Sequence, residues 1–392
     1  MPTTLALFCK VVDNFGDIGI CWRLARQLSS EHSVAVTLWV DDLVSFRRIC
    51  PQIDVHAASQ RAMGVTVRHW ADQNGEFSAA DVADIVIEFF GVDIPPNYIL
   101  AMAQRQPRAV WLNLEGMSAE EWVEGCHTLP STHPRLPLVK HFFFPGFTER
   151  TGGLLREAEL DAARRAFQAD PLARATFLAE LGVTKQEMAA TTVSLFCYPH
   201  APVAELFAAW RDGGAPVLCL VPEGVAGAAV ADFLQTPAVA GAVRSNGALT
   251  VRVIAFMPQT AYDKLLWSCD VNLVRGEDSI VRAQWAARPF AWHIYPQDEN
   301  LHHVKLRAFL QRFAPDIEAF NDFNLRWNDA VPAAGDWDET WRVFSGAMPQ
   351  VGERAEQWQR EMASHGDLAG NLLRFAESLQ AANRSSAEKD AV

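Results

Sequence analysis

Several stretches of this chain are apolar almost throughout. VAVTLWV at 34–40 and ADIVIEFF at 83–90 are continuous runs rather than alternating ones. A strand of that kind has to be covered on both sides, the condition of a parallel sheet sandwiched between helices. In the first half of the chain, strands are predicted at 4–12, 34–40, 65–69, 83–89, 109–114 and 137–143. The segments between them, such as 18–29 and 97–105, are of helix size, so successive βαβ units follow.

Residues 154–189 break the pattern. LLREAELDAARRAFQADPLARATFLAELG is helical and charged, suited to bridging two domains. Alternation then restarts, with strands predicted at 191–197, 216–221, 249–255, 270–274 and 289–294, and helices at 203–212, 226–235, 259–267, 279–287 and 300–312. Beyond about 336 only helix is predicted, ending in a flexible polar tail at 384–392. At 392 residues the chain also exceeds what one hydrophobic core supports. The fold class is therefore α/β, with two Rossmann-like domains facing a cleft. Residues 1–180 are assigned to the first, completed by C-terminal helices at about 350–383, and 190–349 to the second. Ligands of such sheets bind outside the carboxyl ends of the strands, so the loops after strands are where chemistry is sought.

Composition removes several function classes. Acids outnumber Lys and Arg by 47 to 34, a net charge of −13, which disfavours nucleic acid as a partner. The seven cysteines are scattered without a CxxC pair, as in a reducing compartment. The N-terminus has no basic start or cleavage site, and no apolar run reaches the roughly 18 residues of a membrane span. A cytoplasmic protein with no membrane partner is expected.

The loop after the first strand reads Asp13-Asn14-Phe15-Gly16-Asp17-Ile18-Gly19. It is neither GxGxxG nor a P-loop, and its two acids favour a cation over a phosphate. Asp17 as a helix N-cap and Asp13 as a turn former explain the same residues equally well. The loop after strand 270–274 reads Arg275-Gly276-Glu277-Asp278-Ser279. A helix predicted to start near Asp278 or Ser279, beside an arginine, is suited to a pyrophosphate. Its ordinary alternative is a capped helix with Arg275 paired to Glu277. Phe196, Tyr198 and His200 follow one strand and Phe256-Met257-Pro258-Gln259 another, and aromatics there suit a nucleobase or simply core. Asp41-Asp42 is expected to cap the next helix, and His302-His303, lacking i,i+4 spacing, to be a solvated pair rather than a metal site.

The runs KVVDNFGDIGICWRLARQL, FFFPGFTERTGGLLRE, SLFCY and NLVRGEDSIVRAQWAARPFAWHIYPQ resemble the bacterial elongation factor P arginine rhamnosyltransferase family, EarP. One departure is Glu115-Gly116-Met117, where an aromatic residue more often follows the Glu. The resemblance implies a GT-B glycosyltransferase fold, a dTDP-β-L-rhamnose donor and an arginine of elongation factor P as acceptor, with inversion at the anomeric carbon. It implies catalytic roles for Asp13, Asp17 and Glu277, and donor contacts at Phe15, Gly16, Phe196, Tyr198, Phe256, Gln259, Arg275, Gly276, Asp278, Ser279 and Tyr295. No cofactor and no metal are implied.

A guanidinium acceptor is protonated at any ordinary pH, so the enzyme has to orient it and take up a proton as the C–N bond forms. Asp17 is favoured as that general base and Asp13 as the orienting acid. Beside the phosphates Glu277 is a liability, so a sugar hydroxyl or the acceptor is its expected contact. Two alternatives stand beside this reading. One is a GT-B transferase with another donor or acceptor, and the other a non-catalytic protein that binds nucleotide sugars.

Overall fold

The computed structural model describes residues 2–12, 15–70, 75–330 and 336–390, with side chains as far as Asn383. By internal contact the chain divides into two compact units, Met1–Ala158 with Met362–Val392, and Glu159–Glu361. Each is built on one sheet.

The first sheet contains β1 (Thr4–Cys9), β2 (Ala35–Val40), β3 (Ser59–Ala62), β4 (Val65–His69), β5 (Ile85–Phe89), β6 (Val110–Leu114), β7 (Pro130–Thr132) and β8 (Val139–Phe143). Their order is β3-β4-β2-β1-β5-β6-β8-β7, parallel except where β3 and β7 are added antiparallel at the two edges. These two short edge strands lie outside the predicted set. Helices α1 (Gly16–Glu31), α2 (Leu43–Ile49), α3 (Pro96–Gln104) and α4 (Trp122–Cys126) belong to the same unit.

Side-chain alternation in β1 shows why the central strands are apolar throughout. Leu5, Leu7 and Cys9 pack with Ile18, Cys21 and Trp22 of α1 on one face, and Ala6 and Phe8 pack with Tyr98 and Met102 of α3 on the other. The α1 face is completed by Leu368, Ala369, Leu372, Leu373 and Ala376, from the far end of the chain.

The segment at 146–156 is the joint for that returning helix. Asn371 Nδ2 donates to the Gly152 carbonyl at 3.0 Å, and Leu368 N donates to Leu154 O. Gln27 Nε2 donates to both Arg156 O (2.7 Å) and Asp367 Oδ1 (3.1 Å). A Cβ on Gly152 would stand 2.4 Å from the Phe143 ring, so only glycine fits the approach.

The second unit opens with α5 (Leu160–Ala169) and α6 (Pro171–Glu180), separated by Pro171, with Asp170 capping the second helix through Leu172 N. Both lie within the span 1–180 assigned from sequence to the first domain. They pack instead with the second sheet and its helices. Phe177 and Leu178 share a core with Leu218, Leu220 and Leu265, and Arg174 Nε donates to Ser268 O at 2.7 Å.

The second sheet contains β9 (Thr191–Leu195), β10 (Val217–Pro222), β11 (Val243–Asn246), β12 (Leu249–Ile254), β13 (Val271–Arg275) and β14 (Phe290–His293), in the order β11-β12-β10-β9-β13-β14. Only the edge strand β11 is antiparallel. The helices that follow are α7 (Val203–Asp212), α8 (Gly227–Leu234), α9 (Gln259–Ser268), α10 (Gly276–Ala286), α11 (Leu301–Phe313), α12 (Glu318–Trp327) and α13 (Trp337–Ser364). Last comes α14 (Leu368–Asp390), whose backbone stays helical through most of the expected tail. Residues 391 and 392 lie outside the described set.

Helix α12, absent from the sequence expectation, closes the edge strand β14. Asn324 Oδ1 accepts from Trp292 N, Asn328 Oδ1 accepts from Ile294 N, and Asn328 Nδ2 donates to Trp292 O. Two buried amides thus stand in for a missing neighbour strand.

Each sheet reverses direction of growth once, between β1 and β5 and between β9 and β13. These switch points are where a doubly wound sheet opens a crevice.

Helices α9 and α10 are locked by a fully buried ion pair. Arg282 Nε and Nη2 donate to Asp263 Oδ1 and Oδ2 at 2.9 and 2.7 Å. Removing the carboxylate takes away the counter-charge of a buried guanidinium, so Asp263→Ala is expected to lower unfolding free energy by about 3–5 kcal/mol. The double variant Asp263→Leu/Arg282→Met is expected to recover most of that loss. Urea unfolding of the three proteins checks both.

Candidate active site

The first switch point carries the acidic loop. Helix α1 begins at Gly16, with Phe15 at its N-cap position offering no side-chain cap. Asp17 is therefore the second helical residue and not the cap, the alternative that sequence left open. Its carboxylate is buried and turns back along the chain, where Oδ2 accepts from Val12 N at 2.7 Å. Asp41 Oδ1 accepts from Val11 N at 2.8 Å. Two carboxylates thus grip consecutive amides at the exit of β1. Asp42 is the residue that caps α2, through Val44 N and Ser45 N, so the pair Asp41-Asp42 divides its labour. Phe15 is half-buried against the α1 core. Asp13 and Asn14 lie outside the described residues.

The second switch point gathers most of the expected donor residues. Arg275 ends β13, its Nη1 donating to Cys197 O at 3.0 Å. Its guanidinium carbon lies 4.5 Å from the ring centre of Phe196 and 4.9 Å from that of Tyr198. Two aromatic faces and a carbonyl orient this charge without cancelling it. Helix α10 starts directly at Gly276, whose φ of +62° makes the abrupt turn from strand to helix, two to three residues earlier than predicted. Arg275, at the N-cap position, makes no side-chain cap, so the positive end of the helix dipole, at Gly276 to Ser279, stands beside the guanidinium.

Around Tyr198 stands a ring of aromatic side chains. Tyr295, 45% exposed, meets it edge-on at 5.5 Å, and His200 and His293 lie against it at 6.1 and 5.6 Å. Phe256 and Gln259 follow β12 at the same carboxyl edge, two strands from β9, with Gln259 opening α9.

Two residues here carried no local sequence signal. His293 is buried at the end of β14, where its Nδ1 accepts from Tyr198 N at 3.1 Å and so fixes the backbone that presents the Tyr198 ring. Lys305 of α11 donates from Nζ to Glu277 Oε1 at 2.9 Å. In addition, His302 and His303 are not the solvated pair expected. His302 is buried and accepts from Gln297 N, and His303 Nε2 meets Asn328 O at 2.9 Å, which anchors α11 to the loop after β14 and to the end of α12.

A model of the family described as elongation factor P (EF-P) rhamnosyltransferase EarP matches residues 5–377. A protein-arginine rhamnosyltransferase of Pseudomonas aeruginosa is 47% identical over 375 residues, covering 94% of this chain and 97% of its own length. A solved structure described as the structural basis for EarP-mediated arginine glycosylation of translation elongation factor EF-P is 33% identical. It covers 96% of this chain and 99% of its own, with a TM-score of 0.65. A glycosyltransferase of Rickettsia africae, 9% identical, covers 97% and 98% with a TM-score of 0.55, a likeness of fold alone. The two Rossmann-like units have the GT-B architecture of these glycosyltransferases.

Burial, then the positive neighbours His200, Arg275 and His302, push the His293 imidazole down to about 3. The folded protein keeps it neutral while the unfolded chain protonates it below about 6.5. Its contribution to stability is therefore complete above 6.5 and is lost as pH falls from there towards 3. Between pH 7.5 and 5 the loss is expected to be about 2 kcal/mol. In His293→Asn, whose side-chain oxygen can still accept from Tyr198 N, that part of the decline disappears. Denaturant titrations of both proteins across this range test it.

Proposed function

The chain belongs to the elongation factor P rhamnosyltransferase family EarP, and from that membership we propose that it moves L-rhamnose from dTDP-β-L-rhamnose to an arginine side chain of elongation factor P, with inversion. The family match supplies the choice of reaction. The observation in the fold that carries the reading is Arg275 held between Phe196 and Tyr198 at the uncapped start of α10.

That arrangement suits a departing nucleoside diphosphate. As the bond from C1 to the diphosphate oxygen breaks, negative charge grows on the leaving group. A guanidinium and a fan of helix amides already in place stabilise it without reorganising. Gly276, Asp278 and Ser279 line this helix start, Tyr198 stands against Arg275, and Tyr295 meets Tyr198. Phe196, Phe256 and Gln259 then take the thymidine. Phe15 and Gly16 are further donor contacts in this reading.

The acceptor side is assigned to the first-loop acids. In this mechanism Asp13 orients the guanidinium and Asp17 takes a proton from its nitrogen as the N–C1 bond forms. The bond from Asp17 Oδ2 to Val12 N fixes how that carboxylate is presented. Glu277 contacts a sugar hydroxyl or the incoming guanidinium. Inversion needs nucleophile and leaving group on opposite faces of the sugar.

Two outcomes follow. Asp17→Asn is expected to slow transfer by about 10²–10⁴-fold while leaving dTDP affinity unchanged. The assay is intact mass of elongation factor P after incubation with dTDP-rhamnose, read as the gain of one deoxyhexose residue. A variant that keeps most of the activity removes Asp17 as the base. A chelator is expected to leave the rate unaltered, because Arg275 and the α10 amides carry the leaving-group charge. Loss of turnover on chelation, restored by a divalent cation, contradicts that assignment.

A further inference from the structure

The start of α10 has two requirements that oppose each other. It has to draw in a diphosphate, yet its first turn contains Glu277 and Asp278. Acids there interact well with the helix dipole but repel an anionic ligand at the same place. Arg275 supplies one positive charge against them. The second comes from Lys305, 28 residues further along, whose ammonium meets Glu277 Oε1 at 2.9 Å. The two side chains are only 18% and 20% exposed, so solvent screens the pair weakly.

We propose that Lys305 is a charge-compensating and positioning residue of the donor site, neutralising Glu277 so that a carboxylate can stand at the α10 N-terminus without expelling a nucleoside diphosphate. This rests on the reading of α10 as the diphosphate site. The ammonium also fixes one oxygen of Glu277, which sets the direction in which the acid faces the sugar.

The surrounding structure is consistent with a lysine delivered to that position. Lys305 lies one turn beyond His302, on the stretch of α11 that His302 and His303 tie to Gln297 and Asn328. Trp292 Nε1 donates to Gly276 O at 3.0 Å, holding the opposite end of the contact in register. An ordinary exposed ion pair contributes little and has no such anchoring on both sides.

The test is dTDP affinity by calorimetry for the wild type, Lys305→Met, Lys305→Arg, Glu277→Gln and the double variant Glu277→Gln/Lys305→Met. Lys305→Met removes the ammonium from beside Glu277 and is expected to weaken dTDP about tenfold or more. Lys305→Arg keeps the charge and stays within about threefold of wild type. The double variant is expected to bind as Glu277→Gln does, because the repulsion leaves with the acid. Equal binding by wild type and Lys305→Met overturns the proposal. So does a double variant weaker than Glu277→Gln, which makes Lys305 a direct phosphate ligand. If Lys305→Met alone does not fold, the comparison of the double variant with Glu277→Gln still decides. A wild-type protein that binds no dTDP overturns the donor reading itself, a result distinct from either of these.

Discussion

Burial of the central strands on both faces is the constraint from which the rest of the architecture follows. In β5, β6 and β10 every residue is buried. A strand in that position spends its side chains on two cores and keeps polar function only at its ends. At β1/β5 and at β9/β13 the flanking connections leave in opposite directions, so the chain cannot cover the carboxyl ends there. Asp17 and Arg275 stand at those two places. Their location is thus a result of packing, and their chemistry a result of what the next helix offers: a turned-back acid in α1, an uncapped N-terminus in α10.

Electrostatic balance is settled in the same local way. The chain is strongly acidic overall, yet that excess says little about the surroundings of Arg275. What matters there is that the guanidinium of Arg275 is oriented by neutral partners, two rings and a carbonyl, and so retains its charge for a ligand. His293 reinforces the arrangement by staying neutral, since burial beside Arg275 and His200 makes a second cation there unfavourable. An anion site assembled in this manner draws its field from few groups, each held by packing.

How much of this the sequence disclosed depends on the range over which each feature is decided. The buried strands were legible because their apolar runs are local facts, as were the helices after them. The edge strands β3, β7 and β11 were not, because SQRA, PST and VRSN are short and largely exposed and become strands only by joining a neighbour. Helices α5 and α6 read as a bridge by composition, but Phe177 and Arg174 commit them to the second core. In the site, Arg275 and Asp17 lay in loops that strand topology singles out. Lys305 and His293 stayed hidden because their partners are 28 and 95 residues away. Nothing in HisHis by itself distinguishes a solvated pair from one that anchors a helix.

The first unit is made from both ends of the chain, with Leu368, Leu372 and Ala376 covering the sheet that the first 158 residues form. During synthesis this imposes an order that runs against the sequence. The N-terminal strands leave the ribosome first, but the α1 side of their sheet still lacks part of its cover. The second unit is continuous and has all its residues once Glu361 has emerged. The half of the enzyme translated first is therefore the half finished last, and the acidic loop at the end of β1 belongs to it. A chain cut short before Leu368 keeps every residue proposed for donor binding and catalysis, yet lacks the apolar surface that seats α1.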